Sequence, residues 1–404
     1  CSLMDELNKL HYESYAASVG PMSSNWDRVC ELYAQITGTR VDYGKAHSEK
    51  FNHSRYGRTY TKPMIEGWGE PDADGNIKKI NLVGHSFGGA TVRTLTALLA
   101  YGSEEEQAAT SPDDISPLFT GGKSSWVHSM TEVAAPHNGT TFLECCGDMT
   151  QFAAEVSTTM AKLLGISDFK GVYDFQLEQF GFYRKDGETV LEALDRVLHS
   201  DFLSHNDNAF LDLTIDKSLE INKGIEIQPN VYYFSYAGDQ TSTDPLTGNH
   251  YPTVSAIPSN GMSALMMPGS INMGKYCDKY TAGGIYIDRS WLPNDGLVNT
   301  VSALYPTTTD KNTTECLKRD GTQGWINYDG YSDITFRPGI WYVMPVTRAD
   351  HMQFVGGIAN KSVIETHLFY RNLMDDIYGT YGSGQPEEQP FPFTDVAAGR
   401  WSYS

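Results

Sequence analysis

The chain has 404 residues, enough for a large core, with 50 acidic against 30 basic side chains and a formal net charge of −20. A surface this acidic repels phosphate backbones, so no nucleic-acid partner is expected. No apolar run is long enough to cross a bilayer, so no transmembrane segment is expected either.

In chain order, residues 2–10 read as a short helix and Glu13–Val19 as a strand leading into the Gly20-Pro21 turn. Asn25–Ile36 has Val29, Leu32, Tyr33 and Ile36 at helical spacing. Residues 37–75 are polar, Gly-rich and irregular, and look like an insertion. Ile77–Val83 is rich in aliphatic residues, as a buried parallel strand is. It runs into Gly84-His85-Ser86-Phe87-Gly88, and Val92, Leu95, Leu98 and Leu99 then recur with helical period. Trp126–Ala134, Val231–Ala237 and Ile340–Val346 read as further strands. Residues 148–165 form an amphipathic helix with Phe152, Val156, Met160, Leu163 and Leu164 on one face; plain core packing would also explain that stripe. Val363, Ile364, Leu368, Leu373 and Ile377 mark a C-terminal helix, and 383–404 read as a loose tail. Strand–helix alternation implies an α/β fold with a mostly parallel sheet.

The strand–Gly84-His85-Ser86-Phe87-Gly88–helix run is a nucleophile elbow, in which a serine sits on a strained turn with its hydroxyl exposed. Gly84 and Gly88 are expected where strand and helix backbones approach, so that a Cβ at either would clash. The Phe87 N–H, at the helix N-terminus, is the expected oxyanion donor. Such a serine needs a base, and the base an orienting acid. Of the late histidines, His351 lies in a loop after a strand, whereas His367 sits inside the C-terminal helix, so His351 is the expected base. Asp295, in Pro293-Asn294-Asp295-Gly296, is the expected acid. An ordinary Asp-Gly turn is the plainer reading of it, and Asp350 is the rival.

Asp27, His47, His53 and Asp207 form a second constellation. Two imidazoles and two carboxylates would fill a tetrahedral zinc shell with no open position, which suits a structural ion. Spacing alone does not bring them together. None of the six cysteines is in C-x-x-C spacing, so a cysteine zinc cluster is not expected. Cys277 and Cys316 are a candidate pair, and adjacent Cys145-Cys146 are expected to be free and buried.

The chain resembles the secreted, thermostable zinc-containing lipases of Gram-positive bacteria. The resemblance rests on Gly20-Pro21-Met22-Ser23-Ser24-Asn25-Trp26-Asp27-Arg28, Val41-Asp42-Tyr43-Gly44, Tyr56-Gly57-Arg58-Thr59-Tyr60, Ser116-Pro117-Leu118-Phe119, Gly171-Val172-Tyr173-Asp174-Phe175, Leu246-Thr247-Gly248-Asn249 and Asn294-Asp295-Gly296. It implies a single α/β-hydrolase domain over 1–382, with a zinc-bearing insertion at 37–75 and a lid and cap region at 148–230. It places the nucleophile on Ser86, the acid on Asp295, the base on His351 and the zinc ligands on Asp27, His47, His53 and Asp207. The activity implied is extracellular ester hydrolysis at a lipid surface, or at a polymer surface as in polyester-hydrolysing relatives from anaerobes. A catalytically silent binding module and a zinc-dependent hydrolase are the competing readings. Three departures stand out. The family has Ala-His-Ser-Gln-Gly-Gly at the elbow, where this chain has Gly84 and Phe87, which makes the rim more apolar. The family's calcium ligands fall on Gln353 and near Ile358, which counts against a calcium site. The family also opens with a strand and a His-Gly-Phe loop carrying the other oxyanion donor, and this sequence starts after that point; losing one donor would cost ~10²–10³ in rate.

Overall fold

Aliphatic runs too apolar to face water on either side must be covered on both. Here two aliphatic-rich strands and two aromatic ones, joined by one further strand, make a parallel sheet. The structure is a computed structural model and describes residues 3–145, 148–163, 174–257, 260–308, 315–317, 324–356 and 363–381. The strands are β1 Ile80–His85, β2 Val127–Val133, β3 Tyr232–Tyr236, β4 Trp325–Asn327 and β5 Trp341–Val343, in spatial order β4-β5-β3-β2-β1. Every pairing is parallel, and the register sets Gly84 beside Glu132 and Glu132 beside Ser235.

Four helices fix the frame. They are α1 Leu3–Lys9, α2 Asn25–Thr37, α3 Lys45–Phe51 and α4 Phe87–Tyr101. Helix α2 starts where the Ser24 hydroxyl accepts the Asp27 N–H, and stops at Gly38, whose φ of 67° ends it in the left-handed conformation. Val29, Leu32 and Ile36 of α2, with Leu95, Leu98 and Leu99 of α4, pack on one face of the sheet. Leu95 and Leu99 are fully buried, each contributing about 1.5–3 kcal/mol; Leu95→Ala would cost about 2–5 kcal/mol. The opposite face is covered by Phe369, Tyr370, Leu373 and Ile377 of the last helix, Val363–Tyr378. A separate apolar cluster at the carboxyl end of the sheet joins Phe152 of helix Met149–Leu163 to Leu194, Phe202, Phe210 and Leu297.

The structure corrects several expectations. Glu13–Val19 is not a strand. The backbone N–H groups of Ser14 and Ser18 are taken by the side chains of Asn8 and Gln35, not by a ladder. Strand β1 begins and ends later than read, because Ile77 bridges back to Pro71. Residues 37–75 are more regular than expected, with antiparallel strands Arg40–Asp42 and Tyr56–Thr59 around α3. Strand β4 was not expected. Cys277 and Cys316 do not pair: the buried Cys316 thiol donates to the Pro306 carbonyl, and Cys277 lies half-exposed beside Asp278. Cys145 is free and half-buried, whereas Cys146, Leu164, Ile358 and the tail at 383–404 lie outside the described residues.

Candidate active site and metal centre

Strand β1 hands the chain to α4 through Ser86, whose φ of 55° and ψ of −133° belong to a backbone region that side-chain-bearing residues rarely occupy. A Cβ on Gly84 would come within 2.3 Å of the Gly88 carbonyl oxygen, so only glycine fits there. The matching expectation for Gly88 is wrong: nothing lies within 4 Å of a Cβ built on it. The close approach falls one residue later, where a Cβ on Gly89 would meet that of Ala135 at 2.5 Å.

Loops at the carboxyl end of the sheet bring the other two groups to Ser86. Asp295 lies in the turn after Pro293, its Oδ1 accepting the Leu297 and Val298 N–H groups at 3.0 and 2.7 Å. His351 follows β5 and donates its backbone N–H to the Asp295 carbonyl at 2.9 Å. Its ring bridges the other two: Nδ1 to Asp295 Oδ2 is 2.8 Å and Nε2 to Ser86 Oγ is 2.7 Å. Asp350 does not compete. Its carboxylate accepts the N–H groups of Ser263, Met352 and Gln353. Gln353 closes the same loop, its Oε1 accepting the Asp350 N–H and its Nε2 donating to the Gly261 carbonyl.

Residues whose parts the sequence did not disclose support this chain. His85 donates from Nε2 to the His351 carbonyl at 2.9 Å, and burial holds its pKa down to about 3, so it is a neutral strut. Its place before the serine is the only signal the sequence offered. Beneath the elbow, His137 Nδ1 and Glu132 Oε2 are 2.6 Å apart, both buried. Burial pushes Glu132 up to about 8 and His137 well below its usual range, so each member of this close contact favours its neutral form. Ser86 opens onto a cavity of about 280 Å³ lined by Phe87, Phe142, Phe152, Phe175 and Phe210 among others.

Asp27, His47, His53 and Asp207 also meet, their ligand atoms all within 4.8 Å of one another. Asp27 lies in the first turn of α2. His47 is held through α3, whose Ala46 and His47 N–H groups are accepted by the buried Glu106 carboxylate. Asn52, at φ 55°, turns the chain so that His53 folds back, and His53 Nδ1–H donates to the Ser54 carbonyl, which leaves Nε2 as a lone pair. A bridge between Ser23 and Asn208 draws Asp207 in. His47 Nε2 stands 3.2 Å from Asp27 Oδ1 and 3.1 Å from Asp207 Oδ2, and His53 Nε2 is 3.1 Å from Asp207 Oδ2 and 3.9 Å from Asp27 Oδ1. Asp27 Oδ1 and His53 Nε2 are buried without a hydrogen-bond partner. Burial and the neighbouring Asp207 push the Asp27 carboxyl up. Two buried carboxylates facing two imidazoles, with orphaned atoms turned inward, are a group that could hold a metal ion.

Residues 1–383 match the family described as "Lipase-like, C-terminal domain". The Staphylococcus hyicus lipase is 34% identical over 93% of this chain and 52% of its own length. Lipase 2 of Staphylococcus aureus is 34% identical over 93% of this chain and 49% of its own. The chain thus spans about half the length of the curated relatives it matches. Among solved structures, EstA from Clostridium botulinum superposes with a TM-score of 0.78 at 34% identity, covering 96% of this chain and 82% of that one. Lipase 1 from Pelosinus fermentans gives 0.74 at 38% identity, covering 93% and 91%. With the parallel sheet and its flanking helices, these likenesses establish an α/β-hydrolase fold.

Proposed function

The chain belongs to the lipase-like C-terminal domain family, and from that premise we propose that it is a serine carboxylic ester hydrolase acting on lipid esters. The observation that carries the reading is the unbroken Ser86–His351–Asp295 relay, at 2.7 and 2.8 Å, at the mouth of an apolar cavity. Ser86 Oγ attacks the ester carbonyl carbon while His351 Nε2 takes its proton. Asp295 holds Nδ1–H and stabilises the imidazolium that forms. The carbonyl oxygen becomes an oxyanion and accepts the Phe87 N–H, one of the α4 donors without an intrahelical acceptor. His351 returns the proton to the leaving alcohol, then deprotonates water, which releases the acid from Ser86.

Helix Met149–Leu163 acts as a lid, since its Phe152 and Val156 form part of the cavity wall. The phenylalanine lining supports aromatic polyesters as a second substrate class, because rings stack on such units. The work is done outside the cell, at a lipid or polymer surface; among the described residues no helix is long and apolar enough to cross a membrane. Asp27, His47, His53 and Asp207 hold a structural zinc ion. Their separations bracket the roughly 3.4 Å edge of a tetrahedron with bonds of about 2.1 Å, and two imidazoles with two carboxylates leave no position for substrate. When bound, the ion cross-links distant segments and neutralises the paired carboxylates. No calcium site is proposed, because the Gln353 amide is spent on the Asp350 N–H and the Gly261 carbonyl.

The test is hydrolysis of a nitrophenyl ester by the wild type and Ser86→Ala. A loss of roughly 10⁶-fold in kcat is expected. Equal rates in both, or a wild type that a fluorophosphonate does not label at Ser86, would end the reading.

A further inference from the structure

An oxyanion donor works only if it is fixed before charge develops, and the Phe87 peptide is fixed by more than its helix. Arg28, on α2, is buried and lines the same cavity as Ser86 and Phe87. Its guanidinium lies 4.9 Å from the centroid of the Phe87 ring. Its Nε donates to Thr91 Oγ1 at 3.0 Å, and that hydroxyl donates to the Phe87 carbonyl at 3.1 Å. Its Nη1 donates to the Gly20 carbonyl at 2.9 Å, anchoring the head on a separate segment. One side chain therefore grips Phe87 twice, by its ring and by its carbonyl, and ties both to a point outside α4. A planar fork suits this task, since it can stack and donate at once.

We propose that Arg28 is a positioning residue for the oxyanion hole, holding the Phe87 N–H in line through the ring stack and the Thr91 bridge. The inference rests on the hydrolase reading and adds to it a particular use for an aromatic residue at this elbow position. A glutamine there would keep the N–H and lose the stack.

The experiment measures kcat and KM on a soluble nitrophenyl ester, per Ser86 titrated with a fluorophosphonate, for wild type, Arg28→Met, Phe87→Leu, the double variant and Arg28→Lys. Displacing rather than removing the donor should lower kcat about tenfold in Arg28→Met, with KM within about twofold. Phe87→Leu, which keeps the N–H and every Arg28 hydrogen bond, should lose roughly threefold, and the double variant no more than Arg28→Met. Arg28→Lys should fall between wild type and Arg28→Met. An unchanged kcat per titrated serine, with only the melting temperature lowered, would overturn the proposal, as would single losses that multiply in the double variant. Should Arg28→Met not fold, an unchanged kcat in Phe87→Leu overturns it alone. If the wild type cannot be titrated at all, the hydrolase reading falls and this inference with it.

Discussion

The triad and the metal centre are made from the same materials, buried histidine and aspartate, arranged in opposite ways. In the triad every polar atom has a partner to give to or take from, and the groups stand in line: hydroxyl, imidazole, carboxylate, then two backbone N–H groups behind the acid. In the metal centre the acceptors converge, and Asp27 Oδ1 and His53 Nε2 face inward without a partner. A line of donors and acceptors moves a proton. A knot of acceptors could hold a cation. Residue type does not separate these outcomes; the direction in which each loop aims its lone pairs does.

The difference can be broken most forcefully at the acid. Asp295→Asn keeps the shape but offers His351 the wrong partner, and kcat should fall by about 10⁴ while the melting temperature moves little. The metal centre should answer the other way. Stripping the ion with a chelator, or replacing His47 by Ala, should cost on the order of 3–5 kcal/mol by leaving buried carboxylates uncompensated. The check is calorimetry beside activity at 25 °C, where the remaining folded enzyme should keep its kcat. Loss of turnover before loss of fold would instead point to a metal-dependent reaction.

A finer cut lies beneath the elbow. Glu132, raised by burial to about 8, keeps its proton in the folded chain to near pH 8, while the unfolded chain releases it near its ordinary value of 4.5. The unfolded state therefore binds fewer protons between those limits, so the stability this proton confers is present below about pH 4.5 and lost as pH rises towards 8. Glu132→Gln, which stays neutral, should flatten that decline in denaturant midpoints taken across the range; an unaltered slope would assign it to the other buried carboxyls, Glu31, raised to about 8, and Asp212, raised to about 7. The smallest effect is expected at the second glycine of the elbow. Gly88→Ala should change stability by no more than about 1 kcal/mol, towards gain, because the site is open and helical. Gly84→Ala should destabilise severely.

The sequence disclosed the parts that depend on local pattern. The elbow showed itself because an aliphatic strand, a glycine-flanked serine and a helical period follow one another without a gap. His351 and Asp295 could be chosen because strands and turns flank them. What escaped depends on contacts between distant segments. Strand β4 is three residues long, too short for periodicity to register. The Glu13–Val19 reading failed because its backbone donors go to side chains remote in sequence. The grouping of Asp27, His47, His53 and Asp207 was a weak candidate from residue type and spacing, and family resemblance is what strengthened it. Its cause is a bridge between Ser23 and Asn208 that no spacing rule contains.

That bridge has a consequence for how the molecule is made. His47 and Asp207 lie 160 residues apart, and strands β1 and β2 with the elbow helix are all built between them. As the chain emerges, three ligands are available early, but the fourth arrives only after β1, β2 and the elbow helix. Closing so long a loop is entropically costly for an unfolded chain, so tight capture of the ion should follow the packing of β1, β2 and the elbow helix rather than precede it. The rate at which refolding protein takes up metal is then a clock for the last stage of assembly. Environments poor in the ion should accumulate chains that are folded around the sheet and still open at this one seam.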